Sequence, residues 1–225
     1  MGNKELYIYM HIPKTGGTTL KNIIKKQYDR REVWFHMEKD MIPKLEQKKI
    51  DLLKCVGGHC WYGIHQHFER PYHYFTMLRH PIDRVISEYY YILERPKHKA
   101  HAEVKRMNLE EFIRRFPLKS SNQQTRRLSG NIQNPDVELA KKHIEADFAV
   151  VGLAEMFDES LLIMKDKFKW NDITYEKANV TKKRPSIEDI SKGVIQSLED
   201  LNQMDLELYN FAKTRLENQI RELNK

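Results

Sequence analysis

The sequence contains few cysteines and no long hydrophobic run. Among its 225 residues only Cys55 and Cys60 are cysteines, too few for the disulfide framework of a secreted protein. No stretch approaches the roughly 18 consecutive apolar residues of a membrane-spanning helix. Residues 1–5 lead directly into a strand-like segment, without the apolar region of a signal peptide. These features predict a cytoplasmic protein with reduced thiols.

Charged residues are abundant but unevenly distributed. The chain has 39 Lys and Arg, 32 Asp and Glu, and a formal net charge of +7. Residues 1–150 hold 27 of the basic and 18 of the acidic side chains, and all ten histidines lie at or before His143. This excess predicts an anionic partner for the first two-thirds of the chain, such as nucleic acid, a phosphorylated cofactor or an acidic polymer. An ordinary basic surface explains it equally well.

Short apolar runs alternate with segments of helical period. The apolar runs predict strands at residues 6–12, 52–56, 72–78 and 148–153. Helices are predicted over residues 18–28, 81–93, 108–116 and 157–168, and two closing helices within 186–222. Residues 94–106 are predicted to form an exposed excursion. The alternation indicates an α/β fold with a central, mainly parallel sheet flanked by helices, in a single domain over residues 1–225.

The first strand leads into a loop with the composition of an anion site, Pro13-Lys14-Thr15-Gly16-Gly17-Thr18-Thr19. The two glycines permit unusual backbone angles, and the threonines open a helix whose first N–H groups lack partners within the helix. These groups, the helix dipole and the Lys14 ammonium can together hold a diphosphate-like group. The lysine precedes the glycines, so the loop is not the nucleoside-triphosphate signature. A plain turn capped by Thr18 would leave Lys14 unexplained.

A second strand-to-helix junction carries Arg79 at the end of the third predicted strand and Ser87 eight residues later. The planar guanidinium of arginine suits phosphate, although an ion pair with Asp83 and a solvated serine would also explain the pair. The carboxyl ends of parallel strands lie at one edge of a sheet, where ligands bind. Two anion sites at that edge suit a nucleotide with phosphates at its 5′ and 3′ positions.

Both motifs resemble those of the sulfotransferase family. Residues 13–19 resemble its 5′-phosphosulfate loop, and Arg79 with Ser87 resembles its 3′-phosphate motif. The similarity is greatest to the carbohydrate type, which includes the heparan sulfate and uronyl 2-O-sulfotransferases and bacterial relatives. It extends over residues 5–212 through shorter segments such as Gly58-His59 and residues 122–130, 151–155 and 205–209.

The resemblance implies a P-loop-like three-layer fold and a specific donor. The donor would be 3′-phosphoadenosine 5′-phosphosulfate (PAPS), the product adenosine 3′,5′-bisphosphate (PAP), and no metal would be required. The sulfuryl group would pass by in-line displacement to a hydroxyl of an acceptor, which the resemblance suggests is a saccharide, acidic or neutral. The implied cofactor contacts come from the two motifs: Lys14, Thr15, Gly16, Gly17, Thr18, Thr19, Arg79 and Ser87.

Two residues, Lys14 of the loop and His59 outside it, have predicted catalytic roles. Lys14 would stabilise the leaving phosphate oxygen. His59 is the predicted general base, since it follows a strand near the same edge and histidine titrates near neutral pH. In the 2-O-sulfotransferases a second histidine stands two positions before the base, where this chain has Gly57. Glu32 is the alternative base, and His59 could instead only cap its loop.

Further contacts are implied outside the two motifs. Gln124, Arg126 and Arg127 are predicted to bind the acceptor, although an ordinary basic helix face explains the arginines equally well. Lys182 and Arg184 follow a short predicted strand at residues 173–175 and would close over the 3′-phosphate.

Other functions are less well supported by the residues. A small natural product could replace the saccharide as acceptor. A kinase-like phosphotransferase would need a lysine after the loop glycines, and a nucleic-acid-binding module would need a recognisable signature. The five histidines between residues 59 and 80 lack the spacing of a zinc site. The identity of the acceptor and the oligomeric state are left open.

Overall fold

A computed structural model describes residues 5–35, 47–176 and 185–223. Within these residues five strands form one sheet, in which every neighbouring pair is parallel. The order across the sheet is β2-β3-β1-β4-β5. The strands are β1 (Leu6–Met10), β2 (Val33–Trp34), β3 (Cys55–Gly58), β4 (Tyr72–Leu78) and β5 (Phe148–Leu153).

The central strands are buried on both faces, which accounts for their nearly continuous apolar runs. Ile8, Phe75 and Val150 have no exposed surface. Tyr9 of β1 lies opposite Gly57 of β3 on one side and Phe75 of β4 on the other. A Cβ atom at Gly57 would lie 2.8 Å from the Tyr9 Cβ. Glycine at position 57 therefore lets β3 approach the large side chain of its neighbour.

Eleven α-helices in the described residues flank the sheet or extend from it. None of them is both long and apolar enough to cross a bilayer. Two short 3₁₀ helices span Ile64–His67 and Ile187–Asp189. The α-helices are α1 (Gly17–Gln27), α2 (Gln47–Leu52), α3 (Pro81–Leu93), α4 (His101–Val104), α5 (Leu109–Arg115), α6 (Pro117–Ser120), α7 (Gln123–Ser129), α8 (Val137–Asp147), α9 (Phe157–Phe168), α10 (Lys192–Leu201) and α11 (Gln203–Leu223).

Buried apolar side chains form two clusters. The larger cluster joins the sheet to α1, α8, α9 and α11. The smaller joins α3 to α4, α5 and α10 through Val85, Phe112 and Leu198. Helix α3 begins directly beyond the end of β4, so it connects the sheet to this helical part. A single domain stays a prediction.

The α/β architecture with a parallel central sheet is confirmed, and several predicted boundaries agree with the structure. Strands β4 and β5 and helices α3 and α9 have the predicted limits. The second predicted strand begins three residues later, because Leu52 ends α2. Residues 173–175 do not form the predicted strand. The Thr174 carbonyl instead accepts a bond from Lys26 Nζ at 2.8 Å. The 94–106 excursion is only partly exposed, because Val104 of α4 is fully buried.

The connections place a crevice at the carboxyl ends of β1 and β4. After β1 the chain forms β2 and β3 on one side of it, and then β4 and β5 on the other. Helices α1 and α3 leave neighbouring strands at this reversal. Open parallel sheets bind ligands at such switch points, so the structure brings the two predicted anion motifs together.

Candidate active site

A cleft of about 1020 Å³ opens at this edge of the sheet. Its walls come from the loop after β1, helices α3 and α7, and the turn after β5. It is lined by residues of both predicted phosphate motifs and by the predicted base, including Lys14, Gly17, Thr18, Arg79, Ser87 and His59. Of the residues named, positions up to 73 residues apart in sequence thus share one site.

The loop after β1 has a backbone that its sequence makes possible. Gly16 has a φ of 82°, in the left-handed region that favours glycine. Gly17 begins α1, and a Cβ atom there would lie only 1.8 Å from His11 Nε2. Thr15 is fully buried, and its hydroxyl donates to the Ile12 carbonyl at 2.9 Å. Thr15 therefore shapes the loop from inside, while Gly16 and Gly17 line the cleft.

The amino terminus of α1 points its backbone groups at the cleft. Gly16 occupies the N-cap position and has no side chain with which to bond the first amides. No acidic residue occupies the first turn. Thr18 and Thr19 line the cleft beside these amides. The positive end of the helix dipole is therefore available to an anion.

Lys14 supplies a positive charge at the mouth of the loop. Its Nζ lies 3.6 Å from the centroid of the Tyr91 ring, within the range of a cation–π contact. Burial lowers the Lys14 pKa to about 8, with help from Arg79 and Arg95 and against the opposing charge of Glu88. Its φ of 71° is unusual for a residue with a side chain. A bound phosphate would stabilise the charged form of Lys14, which burial disfavours.

Arg79 and Ser87 meet the loop from the other side. Arg79 donates to Asp83 Oδ2 from Nε at 3.0 Å and from Nη2 at 2.7 Å. It also donates from Nη1 to the Lys14 carbonyl at 3.2 Å. Ser87 is 3% exposed and lines the cleft. Arg79 is thus paired with Asp83, as the simpler interpretation required, and Ser87 nevertheless lies in the cleft rather than in bulk solvent.

His59 lies in the cleft with a defined orientation. Its Nδ1 is 3.0 Å from the His11 carbonyl oxygen, which can only accept a hydrogen bond. Nδ1 must therefore carry the proton, and in the neutral ring Nε2 is the acceptor. Burial lowers the His59 pKa, and the charge of Arg127 lowers it further, against the bond to His11. A neutral imidazole with an open Nε2 can accept a proton.

A second histidine, which the sequence analysis did not single out, stacks against the first. The ring centroids of His11 and His59 are 4.4 Å apart, and the planes differ by 26°. Burial, with the charge of His59 next, lowers the His11 pKa to about 3. In β3, Gly57 stands where the motif described for the 2-O-sulfotransferases has its second histidine. Here the end of β1 places a neutral imidazole beside His59 instead.

Arg127 fixes the turn that carries His59. Its Nη1 donates to the carbonyls of His59 and Cys60 at 3.0 and 3.1 Å, and its guanidinium lies 4.7 Å from the Trp61 ring. Burial lowers the Arg127 pKa to about 10. Arg127 also lines the cleft, and its buried Nε has no partner among the described residues.

Gln124 and Arg126 lie outside the cleft, in contrast to their predicted acceptor role. Gln124 is fully buried and bonds the main chain of Arg79, accepting from its N–H at 3.0 Å and donating to its carbonyl at 2.9 Å. Arg126 donates to the carbonyls of Ser121 and Gln133. Residues four apart share a helix face, and the face of α7 toward the cleft carries Gln123 and Arg127 instead.

Glu32 does not line the cleft, and two further predicted residues are not described by the structure. Lys182 and Arg184 lie outside the residues that the structure describes. Glu32 lies at the amino-terminal edge of the sheet, opposite to the loop, where it pairs with Lys54 at 2.5 Å. That position separates it from Lys14 and His59.

Several cleft residues were not found by sequence reasoning. Glu88 and Tyr91 lie on α3, one and four residues after Ser87, so the helical period could have indicated Tyr91. Lys119 of α6 reaches the cleft only through tertiary packing, which no local sequence pattern indicates. Phe157 and Tyr175 meet with ring centroids 5.0 Å apart beside the loop. Across the described ranges no three His, Cys, Asp or Glu side chains are grouped to hold a metal ion.

Comparisons with known proteins agree on one family. The family model described as "Sulfotransferase family" matches residues 2–212. Human heparan-sulfate 6-O-sulfotransferase 3 is 23% identical over 272 aligned positions, which cover 93% of this chain and 57% of the relative. The chain thus spans little more than half the length of that curated relative.

The solved structures include a neighbour with the same fold. The crystal structure of mouse sulfotransferase SULT7A1 complexed with PAP superposes with a TM-score of 0.50 at 13% identity, over 89% of this chain and 82% of the mouse chain. At this identity the likeness shows the fold alone. The predicted P-loop-like architecture, with a central sheet between helical layers, is confirmed.

Proposed function

The chain belongs to the sulfotransferase family, and on this premise we propose that it transfers a sulfuryl group from PAPS to a hydroxyl of a saccharide. One observation carries the proposal. The Lys14 loop, the Arg79–Ser87 pair and an oriented, neutral His59 all face one cleft at the switch point of the sheet. These are the groups that a doubly phosphorylated donor and an acceptor hydroxyl need.

The phosphate-binding groups divide between two ends of the nucleotide. The amides at the start of α1 and the Lys14 ammonium would hold the 5′ side, and Arg79 and Ser87 the 3′-phosphate. PAPS supplies the sulfuryl group when it is bound. Charge develops on the phosphate oxygen during the transfer, and Lys14 would stabilise it through a preorganised contact. The hydrogen bond from Arg79 to the Lys14 carbonyl fixes the groups for the 3′-phosphate relative to the loop for the 5′ side.

The acceptor hydroxyl must lose a proton, and in this proposal His59 takes it. The bond from Nδ1 to the His11 carbonyl leaves Nε2 to act as the base. The lowered pKa keeps the ring unprotonated at neutral pH. A positioned base of this kind contributes about 10²–10⁴-fold to rate.

The aromatic pair beside the loop suits the base of the nucleotide. A Cβ atom at Gly16 would lie 3.1 Å from the Phe157 ring, so this ring lies directly against the phosphate loop. Tyr175 packs on Phe157 and bonds Asp158. Aromatic faces at this position would stack on a purine.

The charge of residues 94–127 supports an acidic acceptor. These residues run from the end of α3 into α7 and contain ten Lys and Arg against four Glu. This segment therefore carries almost the entire net charge of the chain. The relative named heparan-sulfate 6-O-sulfotransferase 3 supports a saccharide of this class.

A transfer assay tests the proposal. The protein is incubated with PAPS and either a heparan sulfate hexasaccharide without 6-O-sulfate or neutral, fully N-acetylated chitohexaose, and the sulfated product is followed by mass spectrometry. We expect sulfation of the acidic hexasaccharide, and roughly 10²-fold or greater losses in Lys14→Met and His59→Ala.

The matched control for these variants is Lys25→Met. Lys25 is an exposed lysine in the last turn of α1, and its variant should retain the activity. No product with either saccharide, or equal product in all variants, would contradict the proposal.

A further inference from the structure

Glu88 is a buried negative charge in a cleft whose phosphate loop and basic side chains suit anions. It follows Ser87 on α3, is 5% exposed, and lines the cleft with Lys14 and Arg127. A carboxylate here repels the phosphates that the neighbouring residues would attract. Glutamate is also seldom buried unless it is paired. Its presence calls for a role other than nucleotide binding.

One oxygen of Glu88 is occupied and the other is not. Oε1 accepts a bond from Lys119 Nζ at 3.0 Å. The second oxygen accepts no hydrogen bond from any residue in the described part of the chain. Burial alone would raise the Glu88 pKa, but Lys119 and Arg84 outweigh it and the pKa is lowered. The group is therefore an ionised carboxylate with a lone pair to offer.

The other carboxylates of the cleft are either engaged or exposed at its rim. Asp83 binds Arg79. Glu155 accepts from the His80 N–H at 2.9 Å and from Tyr209 at 3.1 Å. Asp158 accepts from Tyr175 and is exposed, as is Glu159. Glu88 differs from all four because it is buried and has an unbonded oxygen.

Glu88 also lies near the groups assigned to the chemistry. Burial dominates the lowered pKa of both Lys14 and His59, and the charge of Glu88 opposes it at each. The carboxylate is thus close enough to interact with the proposed base and with the proposed leaving-group lysine. That is the region which the acceptor must enter.

We propose that Glu88 is an acceptor-binding residue, whose free oxygen accepts a hydrogen bond from an acceptor hydroxyl adjacent to the one that is sulfated. Lys119 binds the other oxygen of the carboxylate and keeps the group charged. The inference rests on the proposed function and specifies one of its acceptor contacts. It also implies that the acceptor is a polyol, since it needs a second hydroxyl.

A charge-matched set of variants tests this role. Glu88→Gln, Lys119→Met and the double variant are compared for PAP affinity by calorimetry and for kcat and KM with the heparan sulfate hexasaccharide and chitohexaose. In Glu88→Gln we expect PAP to bind about threefold tighter, because a repelling charge is gone. We expect its kcat/KM for the acceptor to fall by roughly tenfold or more, mainly through KM, because a charged hydrogen bond is lost.

The remaining variants separate charge from contact. Lys119→Met should bind PAP more weakly than the wild type. The double variant should bind PAP with the affinity of the wild type, but its kcat/KM for the acceptor should stay low. Glu138→Gln removes an exposed, paired carboxylate on α8 and should change neither quantity.

Each result bears on the proposal separately from the function. Unchanged acceptor KM in Glu88→Gln, or PAP affinity that is unchanged or falls together with the melting temperature, would overturn the role of Glu88. If the wild type sulfates neither saccharide, the PAP affinity of Glu88→Gln still decides whether the carboxylate opposes the nucleotide. Failure of the wild type to bind PAP would instead overturn the proposed function itself.

Discussion

At the scale of single residues, a main-chain hydrogen bond decides which nitrogen of His59 can act. The bond to the His11 carbonyl holds the proton on Nδ1, and burial lowers the pKa of the ring. The His11 ring stacks on one face of the imidazole. Because His11 is itself neutral, it adds no charge that would oppose proton transfer to His59.

We predict that this arrangement sets the acid limb of the pH profile. The His59 pKa is lowered from 6.5, so kcat/KM should fall as the pH decreases through a value below 6.5, where His59 becomes protonated. His59→Ala should lose the limb together with most of the activity. The measurement is kcat/KM against pH, and a limb at or above 6.5 in the wild type would contradict the assignment.

Most of the predicted residues that line the cleft are fixed by strand ends, and Ser87 and Arg127 lie on helices. The lysine loop, Arg79 and His59 each follow a strand directly, and parallel strands bring their carboxyl ends to one edge. Glu88 and Lys119 were not found, because their approach depends on how α3 and α6 pack. Gln124 does not line the cleft, and sequence could not indicate this, since the phase of α7 relative to the sheet is not contained in its own seven residues.

At the scale of elements, α7 connects the carboxyl-terminal helix to the phosphate site. Asp205 of α11 accepts from the N–H groups of Gln124 and Thr125 at 3.0 and 2.7 Å, and Asn122 accepts from the Asp205 N–H at 3.1 Å. The two helix starts therefore cap each other. Gln124 then holds both main-chain groups of Arg79.

We predict that this connection supports nucleotide binding. Gln124→Ala leaves the Arg79 N–H and carbonyl without these bonds, and should cost about 1–3 kcal/mol of unfolding free energy. It should also weaken PAP binding, which calorimetry and denaturant unfolding can compare. Gln196→Ala, an exposed glutamine on α10, is the control and should change neither. If Gln124→Ala binds PAP as tightly as the wild type, Arg79 does not need the hydrogen bonds from Gln124 for nucleotide binding.

Elements with strong local signals were predicted well and weak ones were missed. Strand β5 is a continuous apolar run and β4 nearly one, and α3 begins at a proline and carries a full apolar stripe. Helix α8 buries only Ala140 and Ile144 among its eleven residues, so its period is faint. Strand β2 has two residues and exists through its pairing with β3. Such elements depend on tertiary contacts rather than on local sequence.

At the scale of the whole molecule, the sheet and the helical part form one site through α3. Its Ile82, Val85 and Ile86 pack in the smaller cluster, while Ser87 and Glu88 face the cleft. Most of the residues proposed to bind the donor lie at the carboxyl ends of strands, and the excess positive charge belongs to residues 94–127. The overall charge of +7 indicated an anionic partner, and Lys119 and Arg127 of this segment line the cleft.

The central claim is that the two motifs bind one nucleotide through both of its phosphates. Titration calorimetry with PAP and with adenosine 5′-monophosphate tests it most directly, because the two differ only in the 3′-phosphate. We predict that PAP binds one-to-one and at least about tenfold more tightly, from charged hydrogen bonds to Arg79 and Ser87. We also predict that Ser87→Ala narrows the difference and that Lys14→Met weakens both ligands. Equal affinity for the two nucleotides, or no binding of PAP, would contradict the account.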